Sequence, residues 1–99
     1  MKYDYTYYPK IRILVSDSLG ITWDLTEREH EFLMLLIEKE FVSKEEMSKT
    51  LTGEYSEKKF NVVKQIKSRL CLNTFIEIKT KNNCGYRLLS RIELKERCK

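Results

Sequence analysis

The sequence has little proline and glycine, an odd number of cysteines and one histidine. One proline and three glycines in 99 residues, with 34% charged and 41% hydrophobic residues, exclude collagen-like and low-complexity chains. The cysteines, Cys71, Cys84 and Cys98, lie more than ten residues apart, which fits neither a disulfide framework nor a Cys-x-x-Cys metal clamp. We therefore expect reduced thiols with structural roles, in one folded, cytoplasmic domain.

Long apolar runs and catalytic motifs are missing as well. No run approaches the roughly 18 apolar residues that a membrane span needs, and the N-terminal MKYDYTYYPK has no signal-peptide core. There is no glycine-rich phosphate loop, nucleophile elbow or metal-ligand spacing, and His30 lies among acidic residues without a sequence neighbour for catalysis. We expect no enzymatic activity, no cofactor, no metal and no membrane segment in this chain.

Charge is distributed unevenly along the chain. Residues 21–53 hold eight acidic and four basic side chains, whereas residues 54–91 hold nine basic and three acidic ones. A small domain polarised in this way presents its basic end to anions. On the counts alone, an ordinary solvated surface is an equally good explanation.

Alternation of apolar residues predicts a β-hairpin over residues 10–25. The side chains expected on one side of its two strands are Ile11, Ile13 and Val15, then Ile21, Trp23 and Leu25. Residues 17–20 supply the turn. Alternating tyrosines further upstream predict an edge strand before Pro9.

Two capping boxes, at residues 26–29 and 43–46, predict the starts of two helices. The first helix has an apolar stripe at Phe32, Leu33, Leu36 and Ile37, and the second ends near Gly53. A third helix is expected from Ser56 to about Asn73. Its inward residues are Phe60, Val63, Ile66 and Leu70.

Two further alternating segments, FIEIKT and GYRLLS, predict a C-terminal hairpin. The fold class is therefore α+β, with an N-terminal β-hairpin or small sheet, three helices and a final hairpin. We expect a single domain over residues 1–91 and a loose charged tail over residues 92–99.

This order of elements is that of a winged helix-turn-helix, and four segments make the resemblance specific. LTEREHEFLMLLIE and FVSKEEM resemble the first two helices of OmpR/PhoB-type effector domains, and IKTKNNCGYRL resembles their wing. VVKQIKSRL is closer to the ToxR/CadC branch of that family. The similarity covers about residues 10–90 and implies a bacterial DNA-binding transcription regulator, standing alone because the chain leaves no room for a receiver domain. The usual wing Arg-Gly pair is replaced by Asn82 and Asn83.

The third helix, over about residues 56–72, is the candidate recognition helix for a major groove. Its outward face presents amide, hydroxyl and cationic side chains, at Lys58, Asn61, Lys64, Gln65, Ser68 and Arg69. Either amide can pair bidentately with adenine, which is worth about 1–3 kcal/mol of discrimination, whereas the cations suit phosphates. In the wing, over about residues 75–89, Lys79 and Lys81 share a face and Asn82 and Asn83 form the tip, at backbone or minor groove. Tyr86 is expected to pack under the wing.

Two functions from different classes stay open. The first is a sequence-specific regulator that binds double-stranded DNA, for which the resemblance implies homodimers on DNA and contact of residues 51–55 with RNA polymerase. The second is a protein–protein interaction module that modulates another regulator without binding DNA, favoured by the modest net charge of +4 and the missing wing arginine. A third possibility is a piece of a longer membrane-anchored sensor, against which Met1 argues.

Overall fold

The structure, a computed structural model, describes residues 4–39, 41–81 and 84–95. Along the chain the elements are β1 (Tyr5–Tyr8), β2 (Ile13–Ser16), β3 (Thr22–Asp24), α1 (Glu27–Glu38), β4 (Val42–Ser43), α2 (Lys44–Thr52), α3 (Glu57–Thr74), β5 (Ile78–Lys81), β6 (Gly85–Leu88) and β7 (Ile92–Leu94). No helix within these ranges is long and apolar enough to cross a membrane.

The N-terminal sheet has the strand order β3-β2-β1-β7. The predicted hairpin is present as β2 and β3, but β1 is a central strand, because β7 pairs with it in parallel on its other side. The expected loose tail is therefore wrong for residues 92–94: Ile92 is buried, and β7 completes the sheet. Residues 96–99 lie outside the described part of the chain.

The core face of β2 is the opposite of the one that the sequence pattern predicts. Leu14 is fully buried, whereas Ile11 is 55% exposed. The strand begins only at Ile13, after a turn in which Arg12 has a φ of 56°, so Ile11 does not belong to the alternation. Leu14 pairs with Tyr7, which is itself fully buried. The large apolar surface of the tyrosine sets which face of the sheet packs inward.

Local signals place α1 and α2 as expected. Thr26 Oγ accepts a hydrogen bond from the Glu29 N–H, and the Glu29 carboxylate accepts one from the Thr26 N–H, which confirms the first capping box. At α2, Ser43 Oγ accepts from the Glu46 N–H, but the Glu46 carboxylate forms an ion pair with Lys39 instead of completing the box.

The core lies where both sheets meet the helices. A second sheet has the order β4-β6-β5. Its β5–β6 hairpin follows α3 and forms the wing, whereas β4 comes from the segment between α1 and α2. Tyr86 of β6 is 2% exposed, and its ring centroid lies 5.6 Å from that of Phe32 in α1 and 6.3 Å from that of Phe60 in α3. The wing is thereby anchored to the same core that holds α3.

Candidate nucleic-acid interface

Helix α3 packs on α1 and α2 through the residues that its periodicity predicts. Val63 and Leu70 are fully buried, and Phe60 and Ile66 are partly buried against the core. The helix begins after Ser56, whose Oγ accepts a hydrogen bond from the Lys59 N–H at 3.2 Å. The predicted inward face is confirmed, which fixes the orientation of the rest of the helix.

The opposite side of α3 is open to solvent. The six side chains predicted to lie there are all exposed: Lys58, Asn61, Lys64, Gln65, Ser68 and Arg69. Within the described ranges, the side chains of Asn61, Gln65 and Ser68 form no hydrogen bond with the protein. Their donors and acceptors are therefore available to a ligand at no internal cost. Contact of these residues with DNA stays a prediction.

Near its middle, α3 borders the start of α1. Gln65 and Arg69 line a groove together with residues 26–29, so Arg28 of α1 opens to the same space as Arg69 of α3. Arg28 escaped the sequence argument because it lies in the acidic half of the chain. The guanidinium groups of Arg28 and Arg69 share this groove with the carboxylates of Glu27 and Glu29, so charges of both signs line it.

The start of α3 lies beside the start of α2. Lys44 Nζ and Lys64 Nζ lie 5.5 and 5.2 Å from the centroid of the Phe60 ring, and all three side chains border a groove with Asn61. Each ammonium group interacts with the ring electrons, which holds both cations near one spot. Sequence reasoning did not name Lys44 as a site residue. Its position in the first turn of α2 could have indicated that it lies near the start of α3.

The wing places its predicted cations on one face. Lys79 and Lys81 of β5 are exposed, and Lys79 pairs across the hairpin with Arg87 of β6. These three cations and Phe41 line a groove of about 300 Å³, which we call the wing groove. Sequence reasoning did not identify Arg87 or Phe41. Asn82 and Asn83, the predicted tip, lie outside the described residues.

The wing groove and α3 lie on opposite sides of the hairpin. The other face of the hairpin carries Ile78, Tyr86 and Leu88, which pack on the core. Tyr86 contacts Phe60 of α3 on that side. The exposed cations of the wing thus do not continue the exposed face of α3 directly.

Gly85 lies where neighbouring atoms leave no room for a side chain. A Cβ at this position would overlap the backbone oxygen of Val42 and the ring of Phe41. Phe41 therefore lies directly over β6, on the side of Arg87, and forms a wall of the wing groove. Next to it, Tyr86 is packed as predicted, and its burial raises the pKa of the phenol to about 12.

The tyrosine, histidine and cysteine side chains described next lie outside the candidate interface. The Oη of Tyr7 and the Nδ1 of His30 are hydrogen-bonded at 2.7 Å, beneath the N-terminal sheet. Burial raises the pKa of the half-buried Cys71 thiol, although Lys67 opposes this shift, and Cys84 is exposed. Among the described residues, no group of three or more potential metal ligands is found.

Comparison with known proteins connects this geometry to a fold. No protein-family model and no curated protein matches the sequence. Among solved structures, the chain is similar to the DNA-binding domain of Bacillus subtilis CssR, with a TM-score of 0.73 and 24% sequence identity, covering 86% of this chain and 99% of that chain. The predicted fold class is confirmed: the protein is an α+β winged helix-turn-helix, with an N-terminal sheet, three helices and a C-terminal hairpin as the wing.

Proposed function

We propose that this protein is a sequence-specific regulator of transcription that binds double-stranded DNA with α3 in the major groove. The exposed face of α3 supports this most directly: Asn61 and Gln65 lie one helical turn apart, with cations beside them and no internal partner in the described part of the chain. A major groove admits one helix whose outward side chains meet the base edges. The DNA-binding domain that shares this fold, and the sequence segments that resemble OmpR/PhoB-type domains of the ToxR/CadC branch, support the same function.

Each side chain of the α3 face has a role that follows from its chemistry. Asn61 and Gln65 donate to and accept from the base edges, most favourably those of adenine. The exposed cations hold phosphates and fix the register of the helix, while Ser68 reaches either kind of group. The cations assigned to phosphates in this proposal are Lys58, Lys64 and Arg69 from α3, together with exposed Arg28 of α1 and half-buried Lys44 of α2.

The wing contributes a second contact with the duplex in this proposal. Lys79, Lys81, Asn82 and Asn83 meet the backbone or the minor groove beside the α3 site. The protein acts in the cytoplasm, as a homodimer on paired half-sites. The segment expected to contact RNA polymerase, residues 51–55, comprises the end of α2 and the turn that follows it. Leu51 is buried, so residues 53–55 of the turn carry this contact in the proposal, with Tyr55 37% exposed.

Selection of bound sequences from a random duplex pool tests this function. Enriched half-sites are expected, and their spacing and symmetry report how two copies pair. Fluorescence anisotropy with the enriched duplex at several salt concentrations then counts phosphate contacts. About six contacts correspond to a log–log slope of the binding constant near −5. Absence of binding at low salt would refute the proposal.

One observation favours a second candidate, a module that binds another regulator without DNA. Glu27, Glu38 and Glu45 on α1 and α2 are exposed, and none forms an ion pair within the described residues. Exposed carboxylates without ion-pair partners suit a basic protein partner. This candidate predicts no enrichment in the selection experiment, so the same measurement separates the two.

A further inference from the structure

The groove between the start of α1 and the middle of α3 carries charges of both signs that do not pair with each other. We call it the α1–α3 groove, and its lining residues are 26–29 of the α1 start and Val62, Gln65, Ile66 and Arg69 of α3. Glu27, Arg28 and Arg69 are exposed, and none of them forms an ion pair within the described residues. An anionic and a cationic group are therefore open to a ligand in one place.

The two walls of the α1–α3 groove are held in place by buried side chains. Glu29 is buried, and its carboxylate accepts a hydrogen bond from the Thr26 N–H, so Glu27 supplies the open carboxylate. Val63 and Leu70, both fully buried, anchor α3 opposite. The groove has a volume of about 360 Å³, which lies within the range of about 300–1,000 Å³ found for small-molecule sites.

The groove also has an apolar part. Val62 and Ile66 lie on the same side of α3 as Arg69, at helical spacings of four and three residues, and Ile66 packs against the core. A ligand with only negative charge is repelled by Glu27, and one with only positive charge is repelled by the arginines. A molecule that carries both charges and an aliphatic group matches all of these side chains.

We propose that the α1–α3 groove binds a small zwitterion with an aliphatic side chain, of the chemical class of the branched-chain amino acids. Arg28 and Arg69 hold the carboxylate, because a guanidinium group presents parallel N–H donors that fit the two oxygens. Glu27 accepts hydrogen bonds from the ammonium group. Val62 and Ile66 contact the aliphatic side chain.

Occupation of this groove affects the DNA site, because the two share residues. Gln65 and Arg69 line the groove and also belong to the exposed face of α3. This part of the inference rests on the proposed function: the bound zwitterion keeps Arg69 from a phosphate and Gln65 from a base. The zwitterion and DNA therefore weaken each other's binding, by the same factor in both directions.

Isothermal titration calorimetry of the full chain with L-leucine tests the site without DNA. Two related compounds each lack one charge: 4-methylpentanoate has no ammonium group, and 3-methylbutylamine has no carboxylate. We expect L-leucine to bind with a Kd below about 1 mM. Each of the other two compounds should bind at least about tenfold more weakly, because hydrogen bonds between charged groups are lost.

Glu27→Gln separates the ligand site from the DNA site, because Glu27 has no part in the proposed DNA contacts. This variant should bind L-leucine and 4-methylpentanoate nearly alike. In wild type, saturating L-leucine should weaken binding to the enriched duplex several-fold, and the same concentration should have little effect in Glu27→Gln. Glu45→Gln, which removes an exposed carboxylate from the first turn of α2, is the matched control and should behave as wild type.

A double variant tests the other end of the ligand. R28Q/R69Q should bind L-leucine and 3-methylbutylamine nearly alike, because the groups that hold the carboxylate are gone. Its control is K10Q/K95Q, which removes the same charge at two exposed lysines outside the groove and should bind L-leucine like wild type. Equal Tm values of each variant and its control check that the variants fold.

Two results would overturn the site: no binding of L-leucine by wild type up to about 10 mM, or equal binding of L-leucine and 4-methylpentanoate by wild type. An unchanged affinity for DNA at saturating L-leucine would overturn the competition between the two ligands. If wild type binds no duplex, the proposed function fails, whereas the calorimetry still decides whether the groove binds the zwitterion.

Discussion

The exposed face of α3 and the wing groove both carry cations, but the other side chains on the two surfaces differ. On α3, Asn61, Gln65 and Ser68 supply hydrogen-bond donors and acceptors without partners in the described protein. In the wing groove, the described lining residue other than the cations is Phe41, an aromatic ring. Amide groups distinguish bases, whereas cations alone bind every sequence equally. In the proposed function, this difference is the reason why recognition is assigned to α3 and added affinity to the wing.

Both surfaces are supported by the same hydrophobic core. We therefore expect the largest loss of stability from a substitution in that core. Leu70 is fully buried under α3, and Leu70→Ala should lower the free energy of unfolding by about 2–5 kcal/mol through lost burial and a cavity. Urea denaturation measures this. Leu72 is 75% exposed on the same helix, so Leu72→Ala is the control and should change stability by less than about 0.5 kcal/mol. Equal effects of the two changes would contradict the packing of α3.

A substitution in the wing, with a smaller expected loss of stability, can distinguish the contribution of the wing from that of α3. Gly85→Ala places a methyl group against the Val42 backbone and the Phe41 ring, so we expect a loss of about 1–3 kcal/mol from overpacking. The neighbouring Cys84 is exposed, and Cys84→Ala should be nearly neutral. Urea denaturation measures the loss, and DNA binding should show a less negative salt slope with the preferred sequence unchanged. A changed sequence preference would mean that the wing also recognises bases.

The contact between the two regions has a pH signature. Burial raises the pKa of Tyr86 to about 12 from 10.0, so its contribution to stability is complete below pH 10 and is lost as the pH rises toward 12. The loss of stability between pH 10 and 11.5 should therefore be smaller in Tyr86→Phe than in wild type, although Tyr7, whose pKa is also raised to about 12, keeps part of it. Denaturation across this range is the measurement. An unchanged pH dependence in Tyr86→Phe would contradict the buried position of that phenol.

The smallest effect concerns one cation of α3. Lys58 is exposed and assigned to a phosphate, so Lys58→Gln should weaken binding to all duplexes about equally and make the salt slope less negative by about 1. Anisotropy titrations at several salt concentrations detect this. Lys10→Gln in the N-terminal region is the control. A loss confined to one sequence would show that Lys58 contacts a base.

Sequence reasoning succeeded where the signals are local. The caps at Thr26, Ser43 and Ser56 and the turn at Gly53 mark the helix ends within a few residues. The spacing of Val63 and Leu70 then orients α3, because helical periodicity depends only on neighbours in the chain. The exposed face of α3 follows directly from these facts, and for that reason it could be named in advance.

Sequence reasoning failed where contacts join residues that are far apart along the chain. Parallel pairing of β7 with β1 joins residues more than 80 positions apart, and no local pattern indicates it. Phe41 comes to the wing because β4 pairs with β6, and Lys44 approaches Lys64 because α2 packs on α3. The core face of β2 was likewise decided by its partner strand, through Tyr7 and Leu14.

The central claim, that the outward amides of α3 distinguish base sequences, is tested most directly by the specificity ratio of N61A/Q65A. Affinities of wild type and this variant are measured for the selected duplex and for a scrambled duplex of equal length and charge. The account predicts that the ratio falls by at least tenfold, since each amide contributes about 1–3 kcal/mol of discrimination, while binding to the scrambled duplex changes little. An unchanged ratio in a folded N61A/Q65A variant would contradict it.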